Sequence, residues 1–142
     1  MSSISKQKSI LFKFLSIFSV VRIYNILIIV LAQYFTSIFI LSDKKLFDVI
    51  FDFSLFLLIL CSSLSIASGY IVNNFYDQKK DIINKPIKSK IDDVVKNSTK
   101  LYFYFILNFV VIFFASIISF RAVIFFSVYI FFLWFYSHKL KR

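Results

Sequence analysis

Asn73, Asp77 and Asp81 step by four along the segment NNFYDQKKD, and Asn74, Asp77 and Asp81 step by three and four. Residues three and four apart share one face of a helix. A helix through this segment therefore lines up amide and carboxylate oxygens as a stripe. Hard oxygen donors suit Mg²⁺, which typically takes one or two carboxylates and fills its shell with water and substrate phosphate oxygens. Lys79, Lys80, Lys85 and Lys88 stand in or just beyond the same stretch and could meet remaining phosphate charge. A solvated helix with surface Asp–Lys pairs of little energetic value accounts for the same spacing. Spacing alone weighs the two readings equally.

The surroundings of the stripe narrow the choice. Hydrophobic residues make up 60% of the 142-residue chain. A soluble domain of this size leaves too much surface exposed to hide that fraction. The apolar runs are continuous rather than alternating, which predicts membrane-spanning helices and not barrel strands. The predicted fold class is all-α, a polytopic helical bundle of about four transmembrane helices forming one membrane domain over residues 1–142. The expected spans are roughly 22–41, 53–72, 101–119 and 122–136, with a tight turn at Phe120–Arg121. Residues Ser9 to Val21 read as an amphipathic helix lying in the interface. Pro86 is expected to stop the second helix, because the residue before proline avoids helical geometry.

Net charge is +10. The lysines flank apolar segments instead of forming one basic domain, so no nucleic-acid partner is expected. Fourteen of the 17 lysines and arginines lie in the N-terminal segment through Arg22, the 73–100 loop and the C-terminal tail. Positive residues favour the cytoplasmic side. Both termini and the 73–100 loop are therefore expected in the cytoplasm, on a cytoplasmic or inner membrane. The lone Cys61 sits in an apolar run and offers neither a disulfide nor a cysteine metal site.

Other polar residues carry weaker signals. Cys61, Ser65 and Gly69 continue the step of four upstream of Asn73, and small residues let a neighbouring helix approach closely. Gln33 and Asn108 lie inside apolar runs, where interhelical hydrogen bonds are the expected role. Arg22 and Asn25 lie three apart at the start of the first span and read either as the edge of a wet pocket or as an interface anchor. Asp92 and Asp93 read as solvated. His138 stands beside Lys139, and a metal role for it is not expected. Trp134 and Tyr136 fit an interfacial aromatic belt.

The segment Gly69–Pro86, GYIVNNFYDQKKDIINKP, resembles the first aspartate-rich motif of the UbiA superfamily of intramembrane prenyltransferases. Asn73 matches the motif's asparagine, Asp77 its second aspartate and Asp81 its third. Asn84, Lys85 and Pro86 match an N-R-P-like turn, with lysine in place of arginine. Arg22 and Asn25 look like residues of the family's first helix. Asn74 stands where the family usually has aspartate, so the site carries one negative charge fewer and should hold Mg²⁺ more weakly. Family members resemble a nine-helix bundle with a second aspartate-rich motif in the C-terminal half. The similarity here covers about the first half of such a member, and a C-terminal half on another chain is an expected partner.

The resemblance implies transfer of a prenyl group from a polyprenyl diphosphate to an aromatic or lipid acceptor, with Mg²⁺ as cofactor. Asn73, Asp77 and Asp81 are the expected metal ligands, and Asp77 and Asp81 the catalytic carboxylates. Arg22, Asn25 and Lys85 are the expected substrate contacts. The alternative is a four-helix membrane protein or remnant with no turnover of its own. A small transporter or channel subunit would need ionisable groups in mid-span, where this chain has only amides.

Overall fold

The computed structural model describes residues 20–84 and 95–140, with the side chains of 78–82, 84 and 140 outside the description. Every regular element within these residues is helical. Helix α1 covers Ile23–Thr36 and runs on as a π-helical turn over Ser37–Leu41. The short α2 covers Leu46–Ile50, and α3 covers Phe53–Asn84. Helix α4 covers Asn97–Ile118, and α5 covers Phe120–Phe135 with a π-helical end over Tyr136–Leu140. Among the described residues, four helical stretches are long and apolar enough to cross a membrane: Ile23–Leu41, Phe53–Asp77, Asn97–Ile118 and Phe120–Lys139.

Helix α3 is the axis of the bundle and touches α1, α4 and α5. Its apolar span is 44% buried, against 6% for that of α1. The small-residue stripe explains this. Cys61 and Ser65 are fully buried, and the Cys61 thiol points at the Val111 carbonyl of α4. At Gly69 an added Cβ would stand 3.1 Å from Leu133 Cδ1 on α5, so the chain's lone glycine marks a close approach of two helices.

Polar cross-links join the spans where lipid offers no hydrogen bonds. Gln33 donates to Ser62 Oγ at 2.7 Å, tying α1 to α3. Ser68 donates to Asn108 Oδ1 at 2.8 Å, tying α3 to α4. Both amides take the interhelical role expected of them. One cluster of Val20, Ile71, Val72 and Tyr104 closes one end of the bundle. A second, of Cys61, Val111, Ala115 and Phe126, fills the middle.

Caps fix the helix boundaries. Asp52 Oδ1 accepts from the Leu55 backbone N–H at 2.9 Å, an N-cap bond that starts α3. That bond, followed by the nearby Lys44 ammonium, holds the Asp52 carboxyl below its usual range. The turn between α4 and α5 is one residue earlier and tighter than expected. Ser119 alone makes it, in extended geometry, and its hydroxyl caps α5 by accepting from the Ala122 N–H. Phe120 and Arg121 are already helical, so the last span is longer than the sequence pattern indicated.

Helix α3 continues to Asn84, two residues before Pro86, as the stripe requires. At about 1.5 Å per residue its 32 residues reach about 48 Å, beyond a hydrocarbon core of roughly 30 Å. The expected interfacial helix, save for Val20 and Val21, lies outside the described residues. So do Lys85, Pro86, Lys88, Asp92 and Asp93.

Candidate functional site

Four chain segments meet at the end of the bundle where α3 carries its asparagines. Val20 packs on Ile71, Val72 and Tyr104. Asn25 donates from Nδ2 to the Tyr70 hydroxyl at 3.2 Å. Lys100, in the first turn of α4, reaches Asn74. His138, from the π-helical end of α5, sets its ring edge-on to Tyr76, with centroids 5.2 Å apart.

A cavity of about 290 Å³ lies between α3 and α5 at this end. Ile66, Gly69, Tyr70 and Asn73 form its α3 wall; Tyr129, Leu133, Tyr136 and Ser137 form the other. The lining is largely apolar and aromatic, with one amide and a few hydroxyls. Ligand sites commonly have this make-up, since an apolar wall supplies burial and a few polar groups fix orientation. Ser137 is buried and its hydroxyl is bonded to the Leu133 carbonyl at 2.9 Å.

Asn73 lines this cavity, and half-buried Asp77 follows one helical turn on. Asp81 belongs to the same helix, but its side chain falls outside the description, as does all of Lys85. Arg22 and Asn25 do come to the site, through Tyr70. The Arg22 guanidinium lies over the Tyr70 ring, 5.4 Å from its centroid, while Asn25 bonds its hydroxyl. Arg22 adopts left-handed geometry (φ 53°), unusual for a residue with a Cβ, and lets the chain turn into α1 at that point.

The adjacent asparagines part company. Successive residues on a helix lie about 100° apart. Asn73 faces the cavity beside α5, whereas Asn74 is 9% exposed and faces α4. There Lys100, itself 3% exposed, donates from Nζ to Asn74 Oδ1 at 2.9 Å. Spacing gave no hint of Lys100. It reads as one more lysine in a lysine-rich loop, and the only signal was its place at the head of an apolar run. Nor did spacing show the setting of His138: its ring stacks on Trp134 with centroids 5.2 Å apart, and its Nδ1 is buried without a hydrogen-bond partner among the described residues.

As a metal cradle the arrangement is sparse. No three His, Cys, Asp or Glu side chains converge among the described residues. The Asp77 carboxylate and the Asn73 amide are nevertheless hard donors on one face, which fits an ion that draws most of its ligands from water and phosphate. The Asn74 oxygen, engaged by an ammonium, does not fit that role.

The helices long and apolar enough to span a membrane thus carry an aspartate-bearing helix end beside a largely apolar cavity. Residues 30–142 match the model of the UbiA prenyltransferase family, and the chain belongs to that family. No curated protein and no solved structure matches the chain.

Proposed function

We propose that this chain forms the membrane domain, corresponding to the first part of a family member, that holds a polyprenyl diphosphate for transfer to an aromatic or lipid acceptor. The observation that carries the reading is the placement of Asn73 on the cavity wall one helical turn before Asp77. A diphosphate held at that helix end has an apolar cavity directly beside it for the tail.

Asn73, Asp77 and Asp81 are the proposed ligands of Mg²⁺. Bound there, the ion would offset negative charge growing on the departing diphosphate. Arg22 and Lys85 supply further positive charge from the chain itself. Asn25 steadies Tyr70, which keeps both the cavity wall and the guanidinium in position. Ile66, Leu133 and the rings of Tyr129 and Tyr136 exclude water from the tail. The remaining helices of the family's bundle would complete the enclosure and bring the acceptor. The distribution of lysines and arginines supports a cytoplasmic placement of this end and of both termini.

The test uses the full chain in lipid nanodiscs with farnesyl diphosphate as probe. Binding should require Mg²⁺ and weaken roughly tenfold or more in Asp77→Ala, the scale expected for loss of a charged ligand contact. Binding that ignores both Mg²⁺ and the substitution overturns the proposal. Prenyl transfer, measured after supplying a C-terminal half, separates an enzyme from a non-catalytic four-helix protein.

A further inference from the structure

We infer that Lys100 removes Asn74 from the metal-binding set, so that a fixed ammonium on α4 stands at the second position of the motif where a ligand to a divalent ion would otherwise be. The inference rests on the Mg²⁺ reading proposed above.

Lysine is seldom buried without a polar partner, and Lys100 is 3% exposed with its Nζ on the Asn74 amide oxygen. Nζ stands 2.9 Å from that oxygen, and Mg²⁺ binds its ligands at about 2.1 Å, so an ion on the same oxygen would sit within about 5 Å of the ammonium. Val20, Ile71, Val95 and Phe103 line a small apolar pocket together with Lys100, and apolar surroundings screen like charges poorly. Asn73, turned about 100° away, lines the cavity beside α5 instead.

The consequence is specific. On charge alone, an aspartate at position 74 should tighten metal binding. In this structure it would instead form an ion pair with Lys100, and the metal would gain little until Lys100 is also replaced.

The experiment is a double-mutant cycle on the full chain in detergent micelles, with Mn²⁺ titrated alone and free ion read by electron paramagnetic resonance. Asn74→Asp should leave the Mn²⁺ Kd within about twofold of the native value and raise the melting temperature. Asn74→Asp combined with Lys100→Gln should tighten Mn²⁺ roughly tenfold, the scale of one added ligand-shell interaction. If Asn74→Asp alone tightens Mn²⁺ as much as the double variant, or the double variant gains nothing, the inference is overturned. Asp77→Asn separates the two levels. Weakened Mn²⁺ binding in that variant keeps the metal reading standing whatever the cycle shows, whereas unchanged or absent binding throughout removes that reading and the inference together. Lys100→Met replaces Lys100→Gln if circular dichroism shows that the latter has lost helix. If neither folds, the melting temperature of Asn74→Asp decides: no rise overturns the inference.

Discussion

The Arg22 guanidinium lies 5.4 Å from the centroid of the Tyr70 ring, at a residue whose own backbone is left-handed. Two effects oppose each other at this position. A left-handed residue with a Cβ costs roughly 1–2 kcal/mol, while a cation over an aromatic face returns about 0.5–2 kcal/mol. Arg22→Gly removes both, and Arg22→Ala removes only the gain. The alanine variant should therefore be the less stable by about 1 kcal/mol. Thermal unfolding in micelles measures the difference, and equal melting temperatures would show that the left-handed turn carries no strain.

Gln33 and Ser62 give a second prediction. Ser62→Ala leaves the Gln33 amide without its 2.7 Å partner, while Gln33 Oε1 is already buried without one among the described residues. Stranding a polar group costs more than removing both partners. Ser62→Ala should thus lower stability by about 1 kcal/mol, and adding Gln33→Met should recover most of the loss. A double variant less stable than the single would contradict this account of the α1–α3 contact.

The approach at Gly69 predicts a rescue. A Cβ there meets the Leu133 Cδ1 methyl at 3.1 Å, the far end of a flexible side chain. Gly69→Ala should be tolerated after a small shift, whereas Gly69→Leu should cost about 1–3 kcal/mol through overpacking. Leu133→Ala should return part of that cost. Melting curves of the single and double variants provide the check.

Asp52 sets a pH dependence at the opposite end of the bundle. Its carboxyl titrates below the ordinary range, chiefly because the Leu55 N–H bonds the ionised form. A depressed folded value means that its contribution is fully present above the unfolded value, about 3.9, and disappears as pH falls through the folded one. Asp52→Asn keeps an N-cap oxygen but cannot ionise. The gap in melting temperature between the native chain and this variant should close on acidification through that window. A gap that stays constant would remove Asp52 as its source.

Much of the frame was legible in the sequence, for definite reasons. Continuous apolar runs leave helices as the natural spanning structure, and Gln33 and Asn108 had to find partners because lipid supplies none. The helix through Asn73 and Asp77 followed from spacing and from Pro86 beyond it. What periodicity could not assign was the separate fate of Asn73 and Asn74. Which of two neighbouring amides faces a cavity depends on what packs beside each, and Lys100 is 26 residues away in the chain. Tyr70 carries no signal in the sequence, because a tyrosine near the end of a span is ordinary until Asn25 of α1 and Arg22 just before that helix are found on it. Periodicity could not place the turn at Ser119, because a serine in extended geometry leaves no hydrophobic mark.

Helix α3 runs without a break from Phe53 to Asn84, so one rigid rod sets both the depth and the compass bearing of the stripe. Splicing a single residue into it ahead of Tyr70 would lift everything beyond by about 1.5 Å and swing it by about 100°, carrying Asn73 off the cavity. Seven residues, close to two full turns, would nearly restore the bearing while raising the stripe by about 10 Å. Direction and height can thus be altered independently, and a series of such insertions would reveal which of the two this protein depends on.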